Sequence, residues 1–299
     1  MKSILVLAVV AALSGCSIRQ YALNNVSDAL ANGGSAFAGD DDPELVRAAV
    51  PFSLKLTESL LAENPRHAGL LLAAARGFTQ YAYAFVQQEA EELEERDLAK
   101  ATVLHERARR LYRRALDYAL RAMLLRQPGI AFEMQDDPRR AAAKFGRADV
   151  ALLYWTAAAW GALIGLSKDS PESLAELPAM EALIDRALEL DESFEHGAIH
   201  TFLIGYETVR PSAIVDAPRR ARGHFARAIE LSAGGDAAPY VALAESVSVP
   251  EQQRGEFERL LKQALSIDVD RHPENRLANL VAQRRARWLL ARAERLFSE

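Results

Sequence analysis

A seven-residue pattern recurs along this chain and constrains its fold more than any other feature. The pattern reads large apolar, any residue, Arg or Gln, Ala, Leu or Ile, any residue, large apolar, and it begins at Tyr112, Ile184, Phe225 and Leu261. A weaker copy, with Ser in place of Ala, begins at Leu56. The four clear starts are separated by 72, 41 and 36 residues, and 72 is twice 36. Periods of this length are typical of stacked helical hairpins.

Each copy of the pattern suits the packing of helices. The central Ala lets a neighbouring helix approach closely, and the large residues recur at helical spacing as one buried stripe. Ala-Leu pairs can also recur by chance in an Ala-rich helical protein, but here a second helical segment precedes the copies. These partner segments carry small and aromatic residues at helical spacing and cover residues 67–86, 149–166, 196–209 and 238–247.

Turn-forming residues separate the helical segments, at Pro128-Gly129, Pro171, Pro211, Pro250 and Pro273. Strand signals are absent, because β-branched residues are sparse and no hairpin dipeptide separates alternating runs. The sequence therefore predicts an all-α fold, a solenoid of tetratricopeptide-like helical hairpins. We expect a single domain over residues 44–299, in which residues 276–297 form a C-terminal capping helix.

The N-terminus has the pattern of a bacterial lipoprotein. Ten apolar residues, Ile4 to Leu13, follow a positive start. This run is too short for a bilayer span, which takes about 20 residues, but it has the length of a signal-peptide core. The next residues end in Cys16, within a sequence similar to a lipobox, where the thiol receives diacylglycerol. An ordinary signal peptide with a chance Cys is the alternative, but Cys16 is the only Cys in 299 residues. We predict a lipoprotein signal peptide over residues 1–15 and a lipidated tether and loop over residues 16–43.

This anchor and the composition limit the possible functions. An acylated Cys16 places the protein on a membrane facing the periplasm, and Ser17 in the next position favours the outer membrane over the inner one. The formal charge of −5 and an address outside the cytoplasm argue against nucleic-acid binding. The mature chain has no second Cys, which excludes disulfides and thiolate metal sites. No second apolar run is long enough to cross a membrane.

Residues 154–172, YWTAAAWGALIGLSKDSPE, combine the largest side chains with the smallest. We expect the small residues, including Gly161 and Gly165, to let adjacent helices pack closely. Trp155 and Trp160 are five residues apart, about 140° around a helix, so they cannot share one narrow face. One can pack in the core while the other borders a cavity, and ordinary burial of both is the alternative.

Four segments resemble the TatT family, the T component associated with some TRAP transporters. They are residues 154–172, ALELDESFEHGAIHTFLIGYETVRPS, residues 221–268 and NRLANLVAQRRARWLL. The resemblance runs from the lipobox to the C-terminus and is strongest between Tyr154 and Leu290. It implies a periplasm-facing lipoprotein of tetratricopeptide-like helices that forms a homotrimer. It also implies association with a P-type periplasmic substrate-binding protein that hands small ligands to a membrane permease.

The predicted function is therefore that of a non-enzymatic lipoprotein accessory component of a TRAP-type solute uptake system. A tetratricopeptide lipoprotein that scaffolds cell-envelope or pilus assembly is the alternative, with the same fold and anchor. A cell-wall hydrolase is disfavoured. Glu245-Ser246 is similar to the Glu-Ser pair of lytic transglycosylases, but the same dipeptide also begins at Glu58, Glu172 and Glu192. We predict no enzymatic activity and no cofactor.

One histidine pair has the spacing of a metal site. His196 and His200 are four residues apart, which would place both imidazoles on one helical face. The zinc-protease motif needs Glu directly after the first His, where this chain has Gly197, and no third ligand is evident. We predict no metal and favour a packed or hydrogen-bonded pair.

Charged blocks occupy residues 89–97 (acidic), 105–114 (basic) and 283–295 (basic). We expect solvated helix faces joined by local ion pairs, with a docking surface for a partner as the alternative for the first two. Residues 127–141 break the helical period and include Phe132 and Met134. This loop could pack over a neighbouring subunit or close its own hairpin.

The partner segments also predict a ligand cavity on the concave side of the solenoid. Aromatic faces with a few polar tips suit a small ligand that is partly apolar. Two cations just beyond helix ends could meet a ligand carboxylate. Burial of the aromatic residues in the core, with both cations in solvent, is the alternative. The predicted ligand-binding residues are Trp155, Trp160, Lys168, His200, Tyr206, Arg210 and Tyr240.

Overall fold

The computed structural model describes residues 24–297 except 26, 30, 32–34, 168–169 and 211–215. The predictions for the signal peptide, Cys16 and Lys168 lie outside the described residues. Within the described residues the chain is mostly helical and has no strand, which confirms the all-α class. The main helices are α1 (Pro43–Glu63), α2 (Ala68–Tyr81), α3 (Leu98–Arg126), α4 (Val150–Gly165), α5 (Leu177–Leu190), α6 (Ala198–Glu207), α7 (Ala217–Leu231), α8 (Ala238–Leu243), α9 (Arg254–Leu265) and α10 (Arg276–Leu290).

Two main helices continue through π-helical turns. Helix α2 runs through Ala82–Gln87 into Gln88–Leu93, and α8 runs into Ala244–Ser248. Such turns insert one extra residue per turn and occur frequently at functional sites. Shorter helical segments are Ser35–Ala38, Ile130–Asp136, Pro138–Ala142, Arg147–Asp149, Pro171–Ala175, Phe194–His196, Pro273–Asn275 and Ala293–Leu296.

Side-chain caps and a proline explain where the long N-terminal helices begin. Asp42 Oδ1 accepts a hydrogen bond of 3.0 Å from the backbone N–H of Glu44 at the start of α1. Asp97 Oδ1 accepts one of 3.0 Å from the N–H of Lys100 at the start of α3. Pro43 is the first residue of α1, a position whose N–H would have no helical partner in any case.

The repeated pattern marks buried contacts between helices. Its central alanines lie on α3, α5, α7 and α9, and all four are fully buried: Ala115, Ala187, Ala228 and Ala264. The weaker copy does not share this arrangement, because Ser59 is exposed while Leu54 and Leu61 form the buried face of α1. Helix α2 packs against α3, α4 against α5, α6 against α7 and α8 against α9. These contacts fit a solenoid of helical hairpins.

Helix α4 packs against three helices, α2, α3 and α5. The expectation that no second apolar run is long enough to cross a membrane is wrong by length and composition alone, because Arg147–Gly165 has a mean hydropathy of 1.3. Half of that apolar window is buried inside the fold. An added Cβ at Gly161 would lie 3.1 Å from Cζ of Phe202, so a small residue is needed there. The expectation for Gly165 is wrong, because an added Cβ there would meet nothing within 4 Å.

The segment predicted as a loop at 127–141 contains two short helices, Ile130–Asp136 and Pro138–Ala142. Met134 is buried in the protein's own hydrophobic core, whereas Phe132 keeps 77% of its surface exposed. The segment thus closes its own hairpin through Met134. Phe132 is the side chain that remains available for another surface.

The C-terminal helix does more than cap the last hairpin. Helix α10 packs against α8 and α9, as expected of a cap, and it also contacts α1 and Ser35–Ala38. Arg276 Nη1 donates a hydrogen bond of 3.0 Å to the carbonyl oxygen of Gly39, and Arg284 Nη2 donates one of 2.5 Å to that of Ala84. The row of hairpins therefore closes on itself, with the last helix against the first two.

Candidate functional site

The aromatic residues of the predicted ligand wall are all buried, with 6–9% of their surface exposed. They come from α4, α6 and α8, the first helix of three successive hairpins. Their surroundings differ, however, and determine whether each residue packs in the core or could contact a ligand.

Trp160 is part of the hydrophobic core. It belongs to the large apolar cluster of the N-terminal half of the chain. Its Nε1–H donates a hydrogen bond of 2.7 Å to Glu176 Oε2. A buried indole with its one donor satisfied acts as a packing anchor.

Trp155 has a mixed, more polar environment outside that cluster. Its ring lies edge-on to Tyr154, with ring centroids 4.9 Å apart, and the guanidinium of Arg76 is 5.5 Å from its centroid. Arg76 Nη1 is 3.5 Å from Glu195 Oε1. Burial raises the pKa of Tyr154, and the charge of Glu195 raises it further. Of the two tryptophans, Trp155 is the one outside the apolar cluster and the one with a guanidinium over its ring, which agrees with their different faces on α4.

The turn before α6 has an unusual backbone. Glu195, His196 and Gly197 have φ values of 42°, 56° and 94°, in the left-handed region that side chains other than glycine rarely adopt. This turn directs Glu195 toward Arg76. Burial raises the pKa of the Glu195 carboxyl, partly offset by the charge of Arg76.

The predicted His196–His200 pair on one helical face is wrong, because His196 precedes α6. His196 Nδ1 lies 3.3 Å from Asn275 Nδ2, whereas His200 Nδ1 lies 2.8 Å from Nδ1 of His224 on α7. In the ranges that the structure covers, His, Cys, Asp and Glu residues form no group of three suited to a metal ion.

The His200–His224 contact joins α6 to α7. His200 Nε2 also lies 3.3 Å from Glu192 Oε2. Burial lowers the pKa of His200, and burial together with the neighbouring His200 lowers the pKa of His224 to about 4. Both rings are therefore neutral near pH 7, and one N–H donates to the other ring's Nδ1.

Arg210 already has the carboxylate partners that were predicted for a ligand. Its Nη2 lies 2.7 Å from Asp185 Oδ2, and its Nη1 lies 2.9 Å from Glu207 Oε1. Its Nε is 3.2 Å from Glu181 Oε1, to which the Tyr206 hydroxyl donates a hydrogen bond of 2.8 Å. The alternative of a solvent-exposed Arg210 is wrong, and a ligand carboxylate would have to displace one of these partners.

Tyr240 packs at the opposite end of the predicted wall. Its ring lies edge-on to Phe225 of α7, with ring centroids 5.3 Å apart, within the apolar cluster of the C-terminal half. Burial raises the pKa of its hydroxyl. The structure brings Tyr206 and Arg210 together but leaves Trp155, Trp160 and Tyr240 in separate surroundings.

A second group of polar residues lies where the two π-helical turns meet α10. Arg285 Nη2 is 2.7 Å from Glu91 Oε2 and 2.6 Å from Glu245 Oε1. Arg285 and Arg292 each lie 4.3 Å from the ring centroid of Trp288. A cavity of about 260 Å³ adjoins this group. A cavity of about 490 Å³ lies elsewhere, between the ends of α6 and α8.

Tyr83, in the first π-helical turn, keeps 49% of its surface exposed. The surrounding protein and the charge of Glu245 raise the pKa of its hydroxyl. Tyr83 therefore lies close to the group around Arg285.

Comparison with known proteins identifies the family of the chain. A family model described as TRAP transporter T-component matches residues 39–297, most of the chain. The chain belongs to this family. It is also similar to an uncharacterized protein of Treponema pallidum (strain Nichols), with 29% identity over 302 residues, covering 95% of this chain and 94% of that protein.

Sequence reasoning about this T-component missed the group around Arg285. The acidic block at 89–97 and the basic block at 283–295 were the available signal, and both were expected to face solvent. That expectation is wrong for Glu91 and Arg285, which pair with each other. Glu245, considered only as a catalytic acid, is the second partner of Arg285. The ligand wall itself stays a prediction.

Proposed function

We propose that this protein is a lipid-anchored, non-enzymatic accessory component of a TRAP-type solute uptake system. The match of the T-component family model to residues 39–297 carries the proposal. The finer parts of the role are its anchor, its assembly, its partner and its ligand, and each has its own support.

The anchor is Cys16, acylated and facing the periplasm. The support is the lipobox-like sequence after a short apolar run. Each buried CH₂ of an acyl chain contributes about 0.8 kcal/mol, so two or three chains hold a protein stably where one would not. Ser17 after the Cys favours the outer membrane.

The assembly is a homotrimer that associates with a P-type periplasmic substrate-binding protein. The family match supports association with a TRAP transporter system, and the resemblance of the sequence to the TatT family implies the trimer and the binding protein. Phe132, exposed on the short helix after α3, offers an apolar side chain for a contact between subunits.

The ligand is small, either partly apolar or a carboxylate, and is held or passed on without chemical change. Trp155 supports this part, because its ring lies against Arg76, whose ion pair with Glu195 is about two-fifths exposed. An aromatic face beside polar groups gives contact area and orientation together.

Co-purification tests this role. The protein is tagged at its C-terminus, extracted from native membranes with mild detergent, and its bound proteins are identified by mass spectrometry. We expect a P-type binding protein in stoichiometric amount. A Cys16→Ser form recovered from the soluble fraction controls for capture through shared membrane fragments. Recovery of envelope- or pilus-assembly proteins in place of the binding protein would support the scaffold alternative and contradict this proposal.

A further inference from the structure

Charged side chains form the contact between the segment after α2 and the C-terminal helices. We call this contact the polar seam, and it consists of Glu91, Glu92 and Glu95 on one side and Arg284, Arg285, Arg292 and Arg295 on the other.

Apolar clusters divide the molecule into two halves. The first cluster extends from Val46 to Tyr206 and the second from Ile204 to Phe297, so they adjoin within α6. The apolar side chains of α10 near the seam, such as Leu289, belong to the second cluster, while Leu277 at the start of α10 packs against the first. The halves are therefore joined by apolar contacts at α6 and near Leu277, and by charges along the seam. The Arg227–Glu192 ion pair near α6, and the polar contacts of Arg276 with Gly39 and of Asn275 with His196 near Leu277, add to the first two contacts.

The outer part of the seam is weak. Arg292 and Arg295 both pair with Glu95, and the side chains of Arg295 and Glu95 are 71% and 43% exposed. Ion pairs this exposed contribute little to stability and are screened by salt. Apolar burial of the kind seen at α6 does not depend on salt in this way.

Arg285, in the inner part of the seam, keeps partners when the seam separates. Arg285 Nε and Nη2 both donate to Glu245 Oε1, at 3.0 and 2.6 Å, and its guanidinium lies over Trp288. Glu245 and Trp288 belong to the same half as Arg285, whereas Glu91 belongs to the other. If the halves part, Arg285 keeps two of its three partners, and the large penalty for an isolated buried charge does not arise.

Hydrogen bonding in the closed seam is incomplete. Nine buried side-chain atoms of the described residues have no hydrogen-bond partner within the chain, and five of them lie in or beside the seam. These five are Gln88 Nε2, Glu92 Oε1, Arg284 Nε, Arg285 Nη1 and Arg292 Nε. Glu92 Oε1 and Arg284 Nε face each other at 4.0 Å, as an ion pair beyond hydrogen-bond distance. A buried donor or acceptor without a partner disfavours the state that buries it. Contact with water in an open state would remove this disadvantage.

We propose that the polar seam is a gate, which opens by movement of the two halves about α6 and widens the cavity of about 260 Å³ that adjoins Glu91, Glu245 and Arg285, so that it can admit a ligand. The charges hold the gate closed at low salt, and the apolar contacts at α6 keep the halves together when it opens. The gate rests on the proposed function only for the identity of the ligand that would enter the cavity. Its opening is measured below without a ligand or a partner protein, so failure of one proposal leaves the other standing.

Reaction of a buried cysteine tests the gate. Gln88 is 1% exposed and lies beside the seam, where its Oε1 accepts a hydrogen bond of 3.0 Å from Arg284. Gln88→Cys is introduced into the Cys16→Ser chain, and its reaction with N-ethylmaleimide is followed by mass spectrometry. We expect the rate to rise when NaCl is raised from about 0.05 to about 0.5 M, because screening weakens the seam. Adding Glu95→Gln should raise it roughly five- to tenfold at low salt, since two arginines lose their partner.

Two matched controls separate gate opening from unfolding. Thr156→Cys places the thiol at a fully buried position in α4, away from the seam. Glu258→Gln removes a carboxylate that also pairs with two cations, Arg254 and Lys262, but within the second half. Neither salt nor Glu95→Gln should change the rate at residue 156, and Glu258→Gln should not change the rate at residue 88. Equal rates at 88 and 156 under all conditions, or equal acceleration of both, would overturn the gate.

A second measurement applies if Gln88→Cys does not fold. Acrylamide quenching of Trp288 is obtained as the difference between the parent protein and Trp288→Phe. We expect quenching to increase about twofold or more with salt and with Glu95→Gln, and to stay unchanged with Glu258→Gln. Quenching of Trp288 that responds to none of these changes would show a fixed seam and overturn the proposal.

Discussion

Acid should destabilise this T-component through the His200–His224 contact before most carboxylates titrate. The two Nδ1 atoms lie 2.8 Å apart, so one ring must stay neutral to accept the hydrogen bond. Burial, and then the neighbouring His200, lowers the pKa of His224 from 6.5 to about 4. The unfolded chain therefore takes up this proton near pH 6.5, whereas the folded chain takes it up only near pH 4.

The two pKa values set the size of the effect. Stability falls with falling pH wherever the unfolded state binds more protons, and one pKa unit corresponds to about 1.4 kcal/mol. On lowering the pH from 7.5 to 5, His224 should reduce the free energy of unfolding by up to about 2 kcal/mol. The loss should reach at most about 3 kcal/mol near pH 4. The partial exposure of His224 makes these values upper limits.

Urea denaturation of the parent and of His224→Gln, between pH 7.5 and pH 5, measures this contribution. The free energy of unfolding of the variant should fall by about 2 kcal/mol less over that range. Three carboxyls, those of Glu195, Asp236 and Glu245, have pKa values raised by burial and therefore increase the free energy of unfolding as the pH falls. The parent and His224→Gln both contain them, so their effect cancels in the comparison. Equal pH dependence in the two proteins would refute the reasoning.

Three further predictions follow from the structure and the family. Trp160→Ala should lower the free energy of unfolding by about 3–5 kcal/mol in urea denaturation, because Trp160 is a core residue. Trp155→Ala should lower it clearly less, and equal losses would contradict the distinction between the two tryptophans. Cys16→Ser should move the protein from membranes to the soluble fraction with an unchanged melting temperature, and an unmodified Cys16 thiol in membrane extracts would contradict acylation. Light scattering of the unlipidated protein should give a trimer, and monomer at tens of micromolar would count against it.

Local features of the fold could be predicted from the sequence because short-range periodicity encodes them. The four central alanines are fully buried, as the repeated pattern requires, and the different faces of Trp155 and Trp160 follow from helix geometry. His196 was misplaced because a left-handed turn at residues 195–197 interrupts the helical spacing. Nothing in the spacing alone distinguishes that turn from the first turn of α6.

Closure of the chain could not be predicted, because its contacts join residues about 200 positions apart. Arg295 and Glu95 are separated by 200 residues, and Arg284 and Gln88 by 196. A charged block on an amphipathic helix has the same composition whether it faces water or an opposite block. The π-helical turns that place Tyr83 and Glu245 near each other also have no sequence signature in this chain.

The pairing of the cations separates the two predicted ligand classes. Among the described residues of the predicted and observed polar sites, Arg210 pairs with three carboxylates, Arg76 with Glu195 and Arg285 with Glu91 and Glu245. A ligand carboxylate at any of these arginines must displace a carboxylate of the chain, which then loses its charged partner. A neutral, partly apolar ligand beside Trp155 displaces no ion pair and gains the contact area of the ring. We therefore expect the interior to select partly apolar, uncharged ligands over carboxylates of the same size.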